Sequence, residues 1–205
     1  MSVPPILQPG RSYTFRSYFE MTCEPEDILV EFGYSLVRSP LDFPQYSDSL
    51  DRATFLQEQL QRRLTFVSLT SEAARREMLI APILVEVAEV ARAQLRIEYP
   101  LTVNEYLKGS LDYYLYADRQ CLVVEAKNAD LARGFTQLAV ELIALEQRQT
   151  DEISTLFGAV TTGDVWQFAQ LDCQEKRITQ GTKLYLVPDE LESLLRILIA
   201  ILVSS

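Results

Sequence analysis

Hydrophobic and polar positions show their first clear helical repeat after residue 70. Apolar residues recur there at helical spacing, at Leu79, Ile80, Ile83, Leu84 and Val87. Ser71 precedes this run and is of a type preferred at the N-cap, so the pattern predicts a helix over 71–95. Pro82 lies inside this helix and should kink or split it, because proline lacks the backbone N–H that an interior position needs.

Three strand candidates and a second helix follow. The strands are predicted at 96–106, 110–116 and 120–127, and the short turns between them predict an antiparallel meander. An amphipathic helix is predicted over 130–148. Its apolar residues form one stripe at spacings of four and three, at Leu131, Phe135, Leu138, Leu142 and Leu145.

The C-terminal part of the chain begins with a hairpin signal. Gly163 and Asp164 separate two strand candidates at 155–162 and 165–172, which is typical of a two-residue hairpin turn. Two further strand candidates precede a final helix near 188–203. The order helix, three strands, helix, strands predicts an α/β fold.

Residues 1–69 show weaker patterns. The stretch 11–19 is a strand candidate, 24–34 predicts a short helix, and a further helix is expected at 50–64. This region is interpreted as an N-terminal elaboration packed on a core formed by 70–205, in a single globular unit.

Composition restricts the chemistry. The 205 residues include no histidine, which excludes histidine-dependent nucleophile chemistry and histidine-ligated zinc sites. The three cysteines are widely spaced and suggest neither a disulfide framework nor a zinc knuckle. A metal bound here is expected to be a hard cation on oxygen ligands, above all Mg²⁺. The net charge of −10 argues against nucleic-acid binding by the surface as a whole.

Two charges end the apolar strand candidate at 120–127. Glu125 and Lys127 share one face of that strand, and Asp112 interrupts an apolar and aromatic run on the preceding one. Adjacent strands lie about 4.8 Å apart, so Asp112 and Glu125 can converge on one cation. Lys127 could then stabilise or orient an attacking water. The alternative is an ion-paired strand end facing solvent.

These residues resemble the PD-(D/E)XK nuclease superfamily, and most closely the N-terminal nuclease domain of type I restriction enzyme motor subunits. The likeness covers about half of the chain, from 71 to 172. Its elements occur in the family's order: Glu72, Asp112, the Glu125–x–Lys127 pair, Gln137, and the hairpin 161-TTGDVWQF-168.

The resemblance implies a restriction-endonuclease-like core and a metal-dependent nuclease. Mg²⁺, with Mn²⁺ as a substitute, would be held by Asp112, Glu125 and the carbonyl of Ala126. Lys127 would stabilise the attacking hydroxide, while Glu72 and Gln137 would support the geometry. The substrate would be nucleic acid, with DNA favoured over RNA.

Several alternatives remain at this stage. The acidic net charge favours a catalytically inactive nuclease-fold protein that acts as a protein-interaction module. The C-terminal stretch 191–203 is apolar nearly all round, so it is either a buried core helix or a homodimer contact. The sequence has no run of 18 apolar residues, so no membrane span is expected. The N-terminus carries no signal sequence, which indicates the cytoplasm.

Overall fold

The computed structural model describes residues 5–118, 120–149 and 153–203 as a mixed seven-stranded sheet covered by helices on both faces. The strands are β1 Ser35–Ser39, β2 Gln94–Thr102, β3 Lys108–Ala117, β4 Gln120–Ala126, β5 Thr155–Thr161, β6 Val165–Asp172 and β7 Arg177–Leu186. The helices are α1 Phe15–Glu20, α2 Pro25–Glu31, α3 Ala53–Phe66, α4 Glu72–Arg75, α5 Ala81–Ala91, α6 Leu131–Arg148 and α7 Leu191–Val203. A π-helical segment, Arg76–Ile80, joins α4 to α5. No helix in these ranges combines the length and the hydropathy that a bilayer crossing requires.

The sheet has the order β1-β7-β6-β5-β4-β3-β2. β2, β3 and β4 pair antiparallel, which confirms the predicted meander. β5 and β6 form the predicted hairpin. β4 and β5 run parallel, and α6 forms the crossover that a parallel pair requires. The α/β class is therefore confirmed, with a mixed rather than an all-parallel sheet.

Strand alternation divides the core into two layers. Leu122 and Val124 of β4 pack into a layer formed with α3, α5 and α7, here called the α7 layer. Val123 faces the opposite layer, formed with α1, α2 and α6, here called the α6 layer. Most apolar side chains of α7 are buried in the first layer, which confirms the core interpretation of 191–203. A homodimer through this helix stays a prediction.

The predicted helix over 71–95 is divided before Pro82 by the π-helical segment Arg76–Ile80, and Pro82 lies in the first turn of α5. The side chain of Ser71 accepts a hydrogen bond from the N–H of Ala74, which confirms the N-cap. In α-helical geometry, the N–H of residue 82 would bond to the carbonyl of Met78. Proline cannot donate this bond, and Nη1 of Arg63 donates to the Met78 carbonyl instead, at 2.8 Å. The helix ends at Ala91, earlier than predicted, because Arg92 adopts the left-handed conformation (φ 52°).

The prediction of a strand over 11–19 is wrong, because the structure places α1 there. The Oγ of Ser17 accepts a hydrogen bond from the N–H of Thr14 at 3.1 Å, which caps the helix. Phe15 and Tyr18 are buried on one face of α1, so the aromatic residues that suggested a strand follow helical spacing. The predicted helices at 24–34 and 50–64 are confirmed as α2 and α3.

The two strand candidates expected before the final helix are a single strand, β7, that continues through Gly181. A Cβ at Gly181 would lie 3.1 Å from the carbonyl oxygen of Phe168, so glycine allows β6 and β7 to approach closely here. β7 also pairs in parallel with β1, a strand that the sequence did not predict. The N-terminal region therefore supplies one edge of the sheet. The division at residue 69 stays a prediction.

Gly134 allows the first turns of α6 to approach the end of β4. A Cβ at this position would lie 2.7 Å from Cγ2 of Val160 and 2.8 Å from Cγ of Lys127. Contacts this short require atoms in a close-packed core to move. The position of the Lys127 stem is thus linked to the packing of α6.

We expect Gly134→Ala to destabilise the protein by about 1–3 kcal/mol, because overpacking at Val160 and Lys127 outweighs the helix propensity gained from alanine. Urea unfolding measures the difference. Arg133→Ala, at an exposed position on the same turn, is the matched control and should change stability by about 1 kcal/mol or less. A Gly134→Ala variant more stable than the wild type would contradict this packing.

Candidate active-site cleft

A cleft opens where the pairing of β3 with β4 ends and the pairing of β2 with β3 is interrupted at one position. The pairing of β3 with β4 ends at Tyr113 and Val124, so Asp112 and Glu125 are the next residues on each strand. Instead of a further ladder bond, the Oδ2 of Asp112 accepts the N–H of Ala126 at 2.9 Å. Glu98 of β2 has a positive φ of 52° and is absent from the regular pairing with β3. The cleft between these residues has a volume of about 590 Å³.

All five side chains predicted as site residues line this cleft. Four of them, Asp112, Glu125, Lys127 and Gln137, lie around the end of β4 and the start of α6, and Glu72 begins α4 on another wall. Asp112 and Glu125 therefore open into the same cavity rather than onto opposite faces of the sheet. Ala126, whose carbonyl was predicted to be a metal ligand, lies between Glu125 and Lys127 in the sequence and is fully buried. The chemical roles of these residues stay predictions.

Glu125 is the most enclosed of these charges, with only 1% of its side chain exposed. Its Oε1 accepts hydrogen bonds from Nζ of Lys127 and, at 2.6 Å, from Nε2 of Gln137. Its Oε2 is buried and has no hydrogen-bond partner among the described residues. One face of this carboxylate is thus fixed by protein donors, and the other has an unused acceptor.

Glu141 is a second buried carboxylate, which the sequence analysis did not include in the site. Nε2 of Gln137 donates to its Oε1 at 2.9 Å, so the amide links Glu141 to Glu125. Oε2 of Glu141 and Oε1 of Gln137 are also buried without a partner in the described part of the chain. Glu141 follows Gln137 by four residues in the apolar part of α6, so the two side chains share one helix face. This spacing was the sequence signal that could have placed Glu141 in the site.

Burial shifts the protonation of this pair. It raises the pKa of Glu141 to about 8, and the charge of Asp112 adds to the effect. Burial and the charge of Glu141 likewise raise the pKa of Glu125 well above its usual value. Burial lowers the pKa of Lys127, but the Glu125 carboxylate outweighs it and the net shift is upward. Burial of both carboxyls therefore favours a proton on the Glu125–Glu141 pair at a pH at which an exposed carboxyl is ionised.

Arg76 is a second cation in the cleft that the sequence analysis missed. Its Nη1 lies 2.6 Å from Oε1 of Glu98 and 3.3 Å from Oδ1 of Asp112. Its guanidinium also lies over the ring of Tyr113, 5.2 Å from the centroid. Arg76 follows Glu72 by four residues, so helical spacing was the available signal, and the π-helical geometry that begins at Arg76 is frequent at functional sites.

The N-terminal region forms the remaining wall. Thr14, Phe15, Arg16 and Phe19 line the cleft, and Nζ of Lys127 lies 4.9 Å from the centroid of the Phe19 ring. The pattern of 11–19 predicted a strand, so this segment was not among the predicted site elements. Residues of α1 therefore contact the candidate catalytic lysine directly.

The donor set fits a hard divalent cation. Mg²⁺ usually takes only one or two protein carboxylates and keeps several waters, and Glu125 offers a buried oxygen without a protein partner beside the Asp112 carboxylate. Within the described ranges, no group of three or more acidic or cysteine side chains is arranged as a metal cage. The fit is thus to a cation that is largely hydrated, and not to a fully protein-ligated one.

Comparison of the chain with protein-family models, with curated proteins and with solved structures found no match. The resemblance to PD-(D/E)XK nucleases therefore depends on the motif residues of the sequence alone, and the restriction-endonuclease-like core stays a prediction.

The buried Glu141 carboxyl should make stability depend on pH. Burial raises the pKa of Glu141 from its ordinary value of 4.5 to about 8 in the folded protein. Between these two pH values the carboxyl is ionised in the unfolded chain but keeps its proton in the folded chain. In EDTA, we expect the free energy of unfolding to fall as pH rises from about 4.5 to 8, by up to about 1.4 kcal/mol per pH unit from this group.

Glu141→Gln should remove most of this contribution and be more stable than the wild type at pH 7.5, since glutamine is neutral and can keep the contact with Gln137. Denaturant unfolding across the pH window gives the comparison. Glu58→Gln, on the exposed face of α3, is the control and should follow the wild-type profile. Parallel profiles for Glu141→Gln and the wild type would show that Glu141 is ionised in the folded state.

Proposed function

We propose that this protein is a metal-dependent nuclease that hydrolyses phosphodiester bonds of nucleic acid. The observation that supports the proposal is the convergence of Asp112, Glu125 and Lys127 in one recessed cleft, with Gln137 bonded to Glu125. Two carboxylates can hold a divalent cation and a neighbouring lysine can stabilise the attacking group, and the chain has no histidine to act as an alternative base.

Each residue has a role that its contacts support. When bound, Mg²⁺ would polarise the phosphodiester and lower the pKa of a water molecule. Asp112 and Glu125 would supply charged oxygen ligands, with the Ala126 carbonyl as a further ligand by family resemblance. Gln137 fixes the orientation of Glu125 through a 2.6 Å hydrogen bond.

Lys127 would contribute positive charge close to the attacking group. Its side chain is 10% exposed, and burial of this kind strengthens its electrostatic effect on a nearby reacting group. Glu72 lines the cleft at the first turn of α4, where it can hold a water or an outer ligand. Arg16 and Arg76 are further cations of the cleft that can attract an anionic strand.

A second candidate is a catalytically inactive protein that retains the arrangement and binds a protein partner. The observation in its favour is that both candidate metal ligands already have a protein cation beside them. Arg76 contacts Asp112, and Lys127 contacts Glu125, so the ionised groups satisfy one another without a metal. Binding of Mn²⁺ distinguishes the two candidates, since an inactive scaffold need not bind it.

Under the nuclease proposal, Lys127→Ala and Asp112→Ala should differ in one measurable respect. Lys127→Ala should lower the cleavage rate by about 10²–10³-fold while metal binding persists, because the lysine acts on the reacting groups. Asp112→Ala should lose both cleavage and metal binding, since Glu125 alone would hold a cation that dehydrates reluctantly. Cleavage of supercoiled plasmid and single-stranded DNA with Mg²⁺ or Mn²⁺, and thermal melts with and without Mn²⁺, measure the two properties.

Lys183→Ala is the matched control, because Lys183 is an exposed, ion-paired lysine of β7 outside the cleft. It should cleave like the wild type. If the wild type cleaves nothing and Mn²⁺ shifts no melt, the interaction module is the better account. If Lys127→Ala cleaves as fast as the wild type, the assignment of the lysine is wrong even though the protein is a nuclease.

A further inference from the structure

Glu98 occupies a strained position at the rim of the cleft. Its φ of 52° is in the left-handed region, which a residue with a Cβ adopts at an energetic cost. It lies within β2, between the pairs Ile97–Tyr113 and Tyr99–Leu111. Strain of this kind persists only where the surrounding structure imposes it, and it is concentrated at functional sites.

The side chain of Glu98 reaches Arg76, and the two partners differ in how firmly they are held. Arg76 is 18% exposed and is fixed by the Tyr113 ring and by Asp112, whereas Glu98 is 55% exposed and comes from the edge strand of the sheet. An ion pair in which one partner is this hydrated contributes little net stability. The Glu98 carboxylate can therefore leave Arg76 at low cost when another anion is offered.

We propose that Arg76 is a phosphate-binding residue of the cleft and that the Glu98 carboxylate occupies its guanidinium until a phosphate of a nucleic-acid strand replaces it. This inference rests on the proposed function for the identity of the anion. A guanidinium binds carboxylate and phosphate oxygens through the same planar array of donors, so the exchange keeps the geometry of the contact. Because Arg76 also contacts Asp112, a phosphate bound there lies beside the candidate metal ligand.

The exchange has a specific thermodynamic signature. In Glu98→Gln the competing charge is absent, so a nucleic-acid strand should bind more tightly. Removal of any acidic residue also weakens general repulsion of nucleic acid, so tighter binding alone does not identify the mechanism. The two explanations differ in a double-mutant cycle, because competition for Arg76 requires Arg76, whereas general repulsion does not.

The experiment measures binding of a short fluorescein-labelled single-stranded DNA oligonucleotide by fluorescence anisotropy, in EDTA and at low salt. Glu98→Gln should bind about 3–10-fold more tightly than the wild type, and Arg76→Gln more weakly by a similar factor. The double variant should bind like Arg76→Gln, within about twofold. Thermal melts establish that each variant is folded, and Arg76→Met, which removes the charge but keeps an aliphatic side chain against the Tyr113 ring, replaces Arg76→Gln in the cycle if the latter does not fold.

Glu105→Gln is the control for general charge, since Glu105 is an exposed acid between β2 and β3 outside the cleft lining. Its effect should be small and should be the same with and without Arg76. The proposal is overturned if Glu98→Gln tightens binding equally in both backgrounds, or if neither the wild type nor Glu98→Gln binds the oligonucleotide.

Binding in EDTA separates this proposal from nuclease activity. Suppose that the double-mutant cycle shows coupling between Glu98 and Arg76, but that the wild type cleaves nothing. This result supports phosphate binding by Arg76 and argues against the nuclease proposal. If the wild type cleaves nucleic acid but the cycle shows no coupling between Glu98 and Arg76, the nuclease proposal is supported and the proposed role of Arg76 is wrong.

Discussion

The burial of the Glu125 carboxylate determines the arrangement of the candidate site. A carboxylate enclosed at the end of a central strand is costly unless donors or cations surround it. Lys127, the residue after β4, and Gln137 of α6 supply these donors. Gly134 lets α6 approach the end of β4 closely, and Gln137 of α6 contacts Glu125 from there. The position of α6 on the sheet is thus coupled to the environment of one charged group.

This arrangement is more easily explained by function than by stability. A buried ion pair is weak support for stability, because well-packed apolar side chains of similar volume often serve as well. Of the five buried side-chain atoms without a hydrogen-bond partner in the described chain, three are oxygens of Glu125, Gln137 and Glu141. Glu98 adds backbone strain at the same cleft. Local violations of packing rules that gather at one cleft are typical of a binding or catalytic site.

Elements with long repeating patterns of apolar residues were easier to predict from the sequence than elements with short patterns. α6 and the meander were predictable because their apolar repeats run over many residues, and the convergence of Asp112 with Glu125 follows from antiparallel register. α1 has only six residues, and its aromatic side chains fit a strand as well as a helix, so local pattern could not decide. The parallel pairing of β1 with β7 is a contact between distant parts of the chain, which no local pattern reports.

The missed site residues have a common physical cause. Arg76 and Glu141 lie on helices, and their entry into the cleft depends on how each helix is docked against the sheet. Helical spacing from Glu72 or Gln137 places each of them on a shared helix face, but it does not say which face meets the strand ends. For Arg76, the π-helical geometry that begins at this residue adds a local irregularity that sequence spacing does not reveal.

The net charge of −10 restricts how the proposed nuclease can bind its substrate. At physiological ionic strength the Debye length is about 8 Å, so exposed acidic residues far from the cleft are largely screened from a strand inside it. Lys127, Arg76 and Arg16 line the cleft itself, where burial reduces screening for the first two. An acidic exterior still opposes the extended backbone contacts with which most proteins hold duplex DNA. Affinity would therefore have to come from a few contacts within the cleft, which makes the ionic state of Arg76 and its neighbours more important here than in a protein with a basic surface.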